Sequence, residues 1–255
     1  MEVAAAATGY RTVDRRALLL GHLPAVVLAG CGVSVAAQQE SAGDDDPPTT
    51  EPGPTSTEAS PGNELQVDPE RVIPPTEPVT ISLSLYLMQD AADAVGSPLS
   101  SQRTEEGLSV IARDMGEVWS QANVIFDPIT VETVLAPTDV LEGIARGLDT
   151  TAFFDQVGTT FDIANPSAVN GFYIRSAGRV NGFAPSNSRV FFVIDEPSVH
   201  DERVSSHEVG HIFGLHHQLE DPGTLMFSGT NGTLLTEDEI TVARYSAQGV
   251  LDGVR

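Results

Sequence analysis

Four of the six histidines in this chain fall within eleven residues, His207-Glu208-Val209-Gly210-His211-Ile212-Phe213-Gly214-Leu215-His216-His217. No other stretch constrains the fold so tightly. His207 and His211 are four apart. On a helix they rise about 6 Å and share one face, so their imidazoles can share one zinc ion. Glu208 sits about 100° further round the helix. It is near such an ion without pointing straight at it, and it can accept a proton from a water whose pKa the metal lowers to about 7. A third ligand must return to the same metal, so the helix has to stop and turn. Gly214 accepts the left-handed backbone that such a turn needs. His216 and His217 both follow it. Three protein ligands leave a fourth position open, which separates a catalytic zinc site from a closed structural one.

The segments around this motif read as a mixed α/β domain from about Val79 to Arg255. Val79–Met88 alternates apolar and polar residues as a strand does. Thr104–Ala122 carries Leu108, Ile111, Ala112, Met115, Val118 and Trp119 at helical spacing, with Trp119 expected in the core. Asn123–Phe126 and Ile129–Leu135 read as two strands around Pro128, and Val140–Arg146 as a weak helix. Gly171–Arg175 and Val190–Asp195 read as strands, with a loop or edge strand between them at Gly178–Ser188. Thr236-Glu237-Asp238-Glu239 is a capping box opening a helix of about twelve residues. Strands alternating with helices point to one α/β sheet.

A bare H-E-x-x-H arises by chance often. The extended H-E-x-x-H-x-x-G-x-x-H is much rarer, and it resembles the signature of the metzincins, a clan of zinc metalloendopeptidases. The match lies at His207, Glu208, His211, Gly214 and His217. The clan's spacing puts two residues between the glycine and the third ligand, which selects His217 over His216, with His200 as the next candidate. Met226, in Thr224-Leu225-Met226, fits the clan's methionine turn beneath the metal. The resemblance implies a twisted, mostly parallel sheet with an antiparallel edge strand and two long helices. A small irregular C-terminal subdomain ending in a helix would follow. Gly178–Ser188 lies where the clan's substrate-aligning edge strand would run. The implied cofactor is one catalytic Zn²⁺, and the implied substrates are proteins or peptides. Phe227-Ser228-Gly229 follows Met226, so no tyrosine ligand is expected there. Asp195, Glu196, Asp201 and Glu202 are read as surface charge, leaving a calcium requirement open.

The N-terminal third has a different character. Arg11, Arg15 and Arg16 precede an apolar run, Ala17 to Ala29, that is too short to span a bilayer comfortably. This reads as an export signal over residues 1–31. Leu28-Ala29-Gly30-Cys31 resembles a bacterial lipobox, which makes Cys31 the expected lipidated N-terminus. Asp14-Arg15-Arg16-Ala17-Leu18-Leu19 also resembles a twin-arginine signal, so export by either the general or the twin-arginine route is open. Residues 32–78 hold ten acids, one arginine and a run of Pro, Thr, Ser and Gly. Such a segment buries too little apolar surface to fold and reads as a tether of roughly 40 to 140 Å reach. The expected location is the extracytoplasmic face of a cell membrane, held by lipid.

Composition narrows the partners. The net charge is −23, and all thirteen basic residues are arginine. That surface repels nucleic acid and suits a soluble monomer, with a potential that favours cationic substrates. Cys31 is the only cysteine, so no internal disulfide can form and no thiolate can latch the metal from a pro-segment. Two other readings stay open at this level. One is a non-catalytic zinc-binding surface lipoprotein on the same fold, which the intact Glu208 argues against. The other is a zinc hydrolase acting on a different amide.

Overall fold

The structure is a computed structural model that describes residues 76–147, 165, 167–185 and 188–251, together with the backbone of 11–12 and 30–32. The rest of the expected export signal and nearly all of the tether lie outside the described residues. Two short strands, Arg11–Thr12 (β1) and Gly30–Gly32 (β2), flank a five-stranded body. The body comprises Val79–Asp90 (β3), Val124–Ala136 (β4), Ala168–Ile174 (β5), Val180–Phe183 (β6) and Val190–Ile194 (β7). Its order is β4-β3-β5-β7-β6, parallel throughout except for β6, which runs antiparallel to β7 at the body's edge. Four helices accompany it among the described residues: Glu105–Trp119 (α1), Thr138–Ala145 (α2), Asp201–Ile212 (α3) and Glu237–Leu251 (α4). This is the mixed α/β class with the antiparallel edge strand expected above.

Period-two alternation sorts the two faces of the sheet. Along β3, Val79, Ile81, Leu83, Leu85 and Leu87 join one core with α1, α3 and α4, where Trp119 is fully buried. Tyr86 and Met88 face the other way, into a second core with Val140, Leu141 and Ile144 of α2. On that second face, Tyr86, Phe172, Phe192 and Phe183 stand directly opposite one another across β3, β5, β7 and β6. Their rings stack at 4.8, 5.3 and 4.6 Å between centroids. Such cross-strand aromatic pairs pin register, because a one-residue slip would turn every ring to the other face. Fixing Phe183 on this face fixes its neighbour Gly182 on the other, toward α3.

Local chemistry sets the helix ends. The Thr104 hydroxyl accepts from Gly107 N to cap α1, which continues as a 3₁₀ turn at Ser120–Ala122. The capping box forms: Thr236 N donates to Glu239 Oε2 at 2.8 Å, and Glu239 N donates to Thr236 Oγ1 at 3.2 Å. The helix it opens runs 15 residues, longer than the twelve or so expected.

Two expectations need correction. Pro128 does not separate two strands, since β4 runs unbroken from Val124 to Ala136. The pairing with β3 absorbs the irregularity as a register shift between Ile81 and Leu83, the position where proline is tolerated in a sheet. Asp195 and Asp201 are not plain surface charge. The Asp195 carboxylate is buried and accepts from Ser101 Oγ at 2.5 Å and Gln102 N at 2.6 Å. Arg103 donates from Nη1 and Nη2 to Asp201 at 2.8 and 2.6 Å, and from Nη2 to the carbonyls of Ile194 and Asp195, both at 2.8 Å. Its guanidinium also lies over Tyr173, 5.4 Å from the ring centroid. The isolated acids are ambiguous in sequence because their partner lies more than 90 residues upstream. Glu196 is exposed and pairs with Arg175 at 3.1 Å, while Glu202 lies 3.5 Å from His200 Nδ1.

Replacing Arg103 with methionine takes the fork from Asp201 and leaves the buried Asp195 carboxylate with only the half-exposed Arg175, so unfolding stability should fall by about 1–3 kcal/mol. Arg103→Lys keeps the charge without the planar fork and should lose less. Urea unfolding of the two variants beside the wild type checks the order.

Candidate metal centre

The helix that carries the motif ends in a defined turn. Gly214 has φ +84°, which a side chain would resist. Leu215 N donates to Gly210 O at 2.9 Å and Gly214 N to His211 O at 3.0 Å. These are the two bonds of a Schellman motif, with glycine at the left-handed position. The turn has a second effect. It folds the Leu215 carbonyl back to His211, where Nδ1 meets it at 3.0 Å. Two residues later the chain delivers His217 to the same place.

His207 is fixed in the same manner from below. Its Nδ1 lies 2.7 Å from Leu225 O, the carbonyl just before Met226. With Nδ1–H donating to a backbone carbonyl on both rings, the Nε2 atoms of His207 and His211 keep their lone pairs. Both Nε2 atoms lie 3.1 Å from His217 Nε2. His217 could donate a proton to one of them but not to both, so hydrogen bonding cannot account for the cluster. Ligands of one tetrahedral zinc at 2.0–2.1 Å would stand about 3.3 Å apart. The observed spacing is close to that, and the donor set fits a zinc ion.

Burial supports the neutral form. It pushes the His207 imidazole down to about 2, with the neighbouring His211 and Arg203 adding to the effect. Burial likewise brings His211 down to about 4, and it lowers His217 together with the Arg203 and His216 charges. At neutral pH all three rings are uncharged ligands. Among the described residues this is the only cluster of three or more His, Cys, Asp or Glu side chains able to hold a metal.

The remaining expected residues take distinct places. Met226 is fully buried beneath α3, and its Sδ lies where a Cβ on Gly210 would come to 2.6 Å. Gly210, an unspecified position of the motif, is the gap that admits the methionine. Glu208 is buried at the first turn of the motif, against Gly182 of β6. His216 is exposed and lies outside the cluster, as does His200. Cys31 is described only as strand backbone. Sequence reasoning missed Arg203, which donates to the carbonyls of Leu225 and Phe227 on either side of Met226. An arginine four residues before His207 on the same helical face was the available signal.

No family model matches the chain, and no curated protein matches it. Among solved structures, it is similar to metalloproteinase-II from Bacteroides fragilis, with 14% sequence identity and a TM-score of 0.42. The likeness covers 67% of this chain and 55% of that one, so this chain spans little more than half the length of that protein.

Gly182 faces the candidate base across a tight contact. A Cβ there would come within 2.7 Å of Phe192 O, 2.9 Å of Val204 Cγ1 and 3.1 Å of Glu208 Cγ. A backbone carbonyl cannot rotate away as a flexible side chain can. Gly182→Ala should therefore cost about 1–3 kcal/mol. Gly116→Ala in α1, where a Cβ meets nothing within 4 Å, should stabilise by up to about 1 kcal/mol. Chemical denaturation of both variants tests the contrast.

Proposed function

We propose that this chain is a zinc-dependent endopeptidase. One observation carries the reading: three neutral imidazoles converge through Nε2 while the Nδ1 atoms of two of them are tied to backbone carbonyls. His207, His211 and His217 would hold the ion, leaving an open position. A zinc ion bound there supplies Lewis acidity, acidifying a water and polarising a carbonyl.

The chain's own groups do the rest. Burial of His207 and Glu208 keeps bulk water from competing for their contacts. Glu208 takes the proton from the attacking water and returns it to the leaving amine nitrogen, so one carboxylate serves as base and then as acid. The Schellman turn and the methionine turn hold the ligand rings in place, so the site needs little reorganisation on binding. The resemblance of the motif to the metzincins makes a peptide carbonyl the expected target, and the acidic surface favours cationic stretches of substrate.

Glu208→Gln keeps the ligands and removes the base, so peptide cleavage should fall by about a thousandfold while zinc content holds. His217→Ala should lose zinc on dialysis, whereas His216→Ala should keep it. Wild-type cleavage by Glu208→Gln would sink the role of Glu208. A protein that keeps its zinc and cleaves nothing in a mixed peptide library would be a binding module instead.

The N-terminal reading completes the proposal. Cys31 becomes the acylated first residue of the mature protein, which would free β2 from its pairing with β6, and the segment at 32–78 would then tether the domain to the membrane. Two acyl chains would anchor it stably where one would be marginal. Mass spectrometry of the mature N-terminus should find a diacylated cysteine, and cleavage elsewhere with a free thiol would refute the anchor.

A further inference from the structure

Arg203 is 4% exposed, and its guanidinium meets the same backbone carbonyl as the buried His207. Its cost there is twofold. A guanidinium out of water loses its hydration, and a fixed positive charge opposes a metal cation nearby. The same charge contributes to lowering the basicity of all three imidazoles. An apolar side chain would carry neither cost, so what Arg203 supplies must lie in its hydrogen bonds.

Those bonds converge on the ligand. Arg203 and His207 are four apart on α3 and share a face. Arg203 Nη2 donates to Leu225 O at 2.9 Å, and His207 Nδ1 meets the same oxygen at 2.7 Å. A carbonyl has two lone pairs, so it accepts both. Arg203 Nη2 also donates to Phe227 O, so the guanidinium grips the carbonyls on both sides of Met226. One residue on that face, Gly210, then receives the Met226 sulfur. The Leu225 carbonyl orients the His207 ring, and Arg203 holds that carbonyl.

We infer that Arg203 is a positioning residue for the metal site: by clamping the Leu225 and Phe227 carbonyls it fixes the orientation and tautomer of His207. The inference rests on the zinc reading above. It separates cleanly from a role through charge alone, because the two have opposite signs. Removing a nearby positive charge should tighten metal binding. Releasing the carbonyl that orients a ligand should weaken it, by roughly 10–100-fold for a group of this kind.

The test is a cobalt(II) titration of the metal-free full-length chain, followed through the visible ligand-field bands, for wild type, Arg203→Met, Arg203→Lys and Arg244→Met. Arg244 is an equally buried arginine that donates to the carbonyls of Ala122 and Glu77, away from the ligands. Arg244→Met therefore reports general destabilisation. Arg203→Met should bind cobalt roughly 10–100-fold more weakly with shifted bands. Arg244→Met should show wild-type bands and affinity despite a lower melting temperature. Arg203→Lys keeps the charge but not the planar fork, and it should resemble Arg203→Met; if the methionine variant does not fold, the lysine variant carries the comparison. Wild-type bands and affinity in the Arg203 variants, or tighter binding, would overturn the inference. Failure of the wild type to bind cobalt at all would instead overturn the metal reading on which it rests.

Discussion

The constraint on which the rest depends is that three uncharged imidazoles must present their Nε2 lone pairs to one point. Unprotonated ring nitrogens 3.1 Å apart repel unless a cation lies between them. The fold resists that repulsion with backbone carbonyls. Leu215 O and Leu225 O hold the Nδ1 atoms of His211 and His207, one from the helix's end and one from the turn beneath. Each carbonyl comes from irregular chain, so the site depends as much on two turns as on the helix that bears its ligands.

Those turns in turn depend on the sheet and its packed helices. Phe213, the residue that ends α3, packs edge-on against Trp119 of α1 at 5.0 Å between ring centroids. The helix therefore stops against a rigid wall, and Gly214 reverses the chain at a defined height. On the opposite side, the aromatic stack from Tyr86 to Phe183 sets the register of the edge strand. That register places a glycine, with no side chain to intrude, beside Glu208. A slip by one residue would turn Phe183 toward the candidate base and close the site.

Features encoded within a few residues were legible in the sequence. The ligand spacing, the glycine turn, the capping box at Thr236 and the alternation along β3 each depend on local periodicity or backbone preference, and each has its structural counterpart. His216, passed over in favour of His217 on the clan's spacing, is exposed and lies outside the cluster. What was not legible depends on distant partners. Nothing near Asp195 or Asp201 indicates that Arg103 will meet them, and nothing near Pro128 shows that the facing strand will absorb the irregularity. Gly182 reads as part of a loop or edge strand until its close neighbours on β7 and α3 are known. Arg203 went unread because its partners, the carbonyls of Leu225 and Phe227, lie more than twenty residues downstream.

Three arginines among the described residues, the buried Arg203 and Arg244 and the largely buried Arg103, share one physical role. Arg103 donates to the carbonyls of Ile194 and Asp195, Arg203 to those of Leu225 and Phe227, and Arg244 to those of Ala122, Asn123 and Glu77. Each set lies where regular structure ends: after β7, in the turn around Met226, and at the entry to β3 with the end of the 3₁₀ turn. Strand and helix interiors satisfy their own carbonyls, whereas these junctions have fewer backbone partners to offer. A planar fork with five donors can serve several such groups at once, which a single ammonium cannot match in geometry. The chain has one cysteine and no lysine, so neither a disulfide nor a lysine can tie these junctions. Amides do similar work elsewhere: Gln121 Nε2 donates to the carbonyls of Val118 and Thr233, and Asn170 Nδ2 to those of Asn165 and Ala168. Arginine adds a longer reach and more donors, which suits the end of β7, the turn around Met226 and the entry to β3.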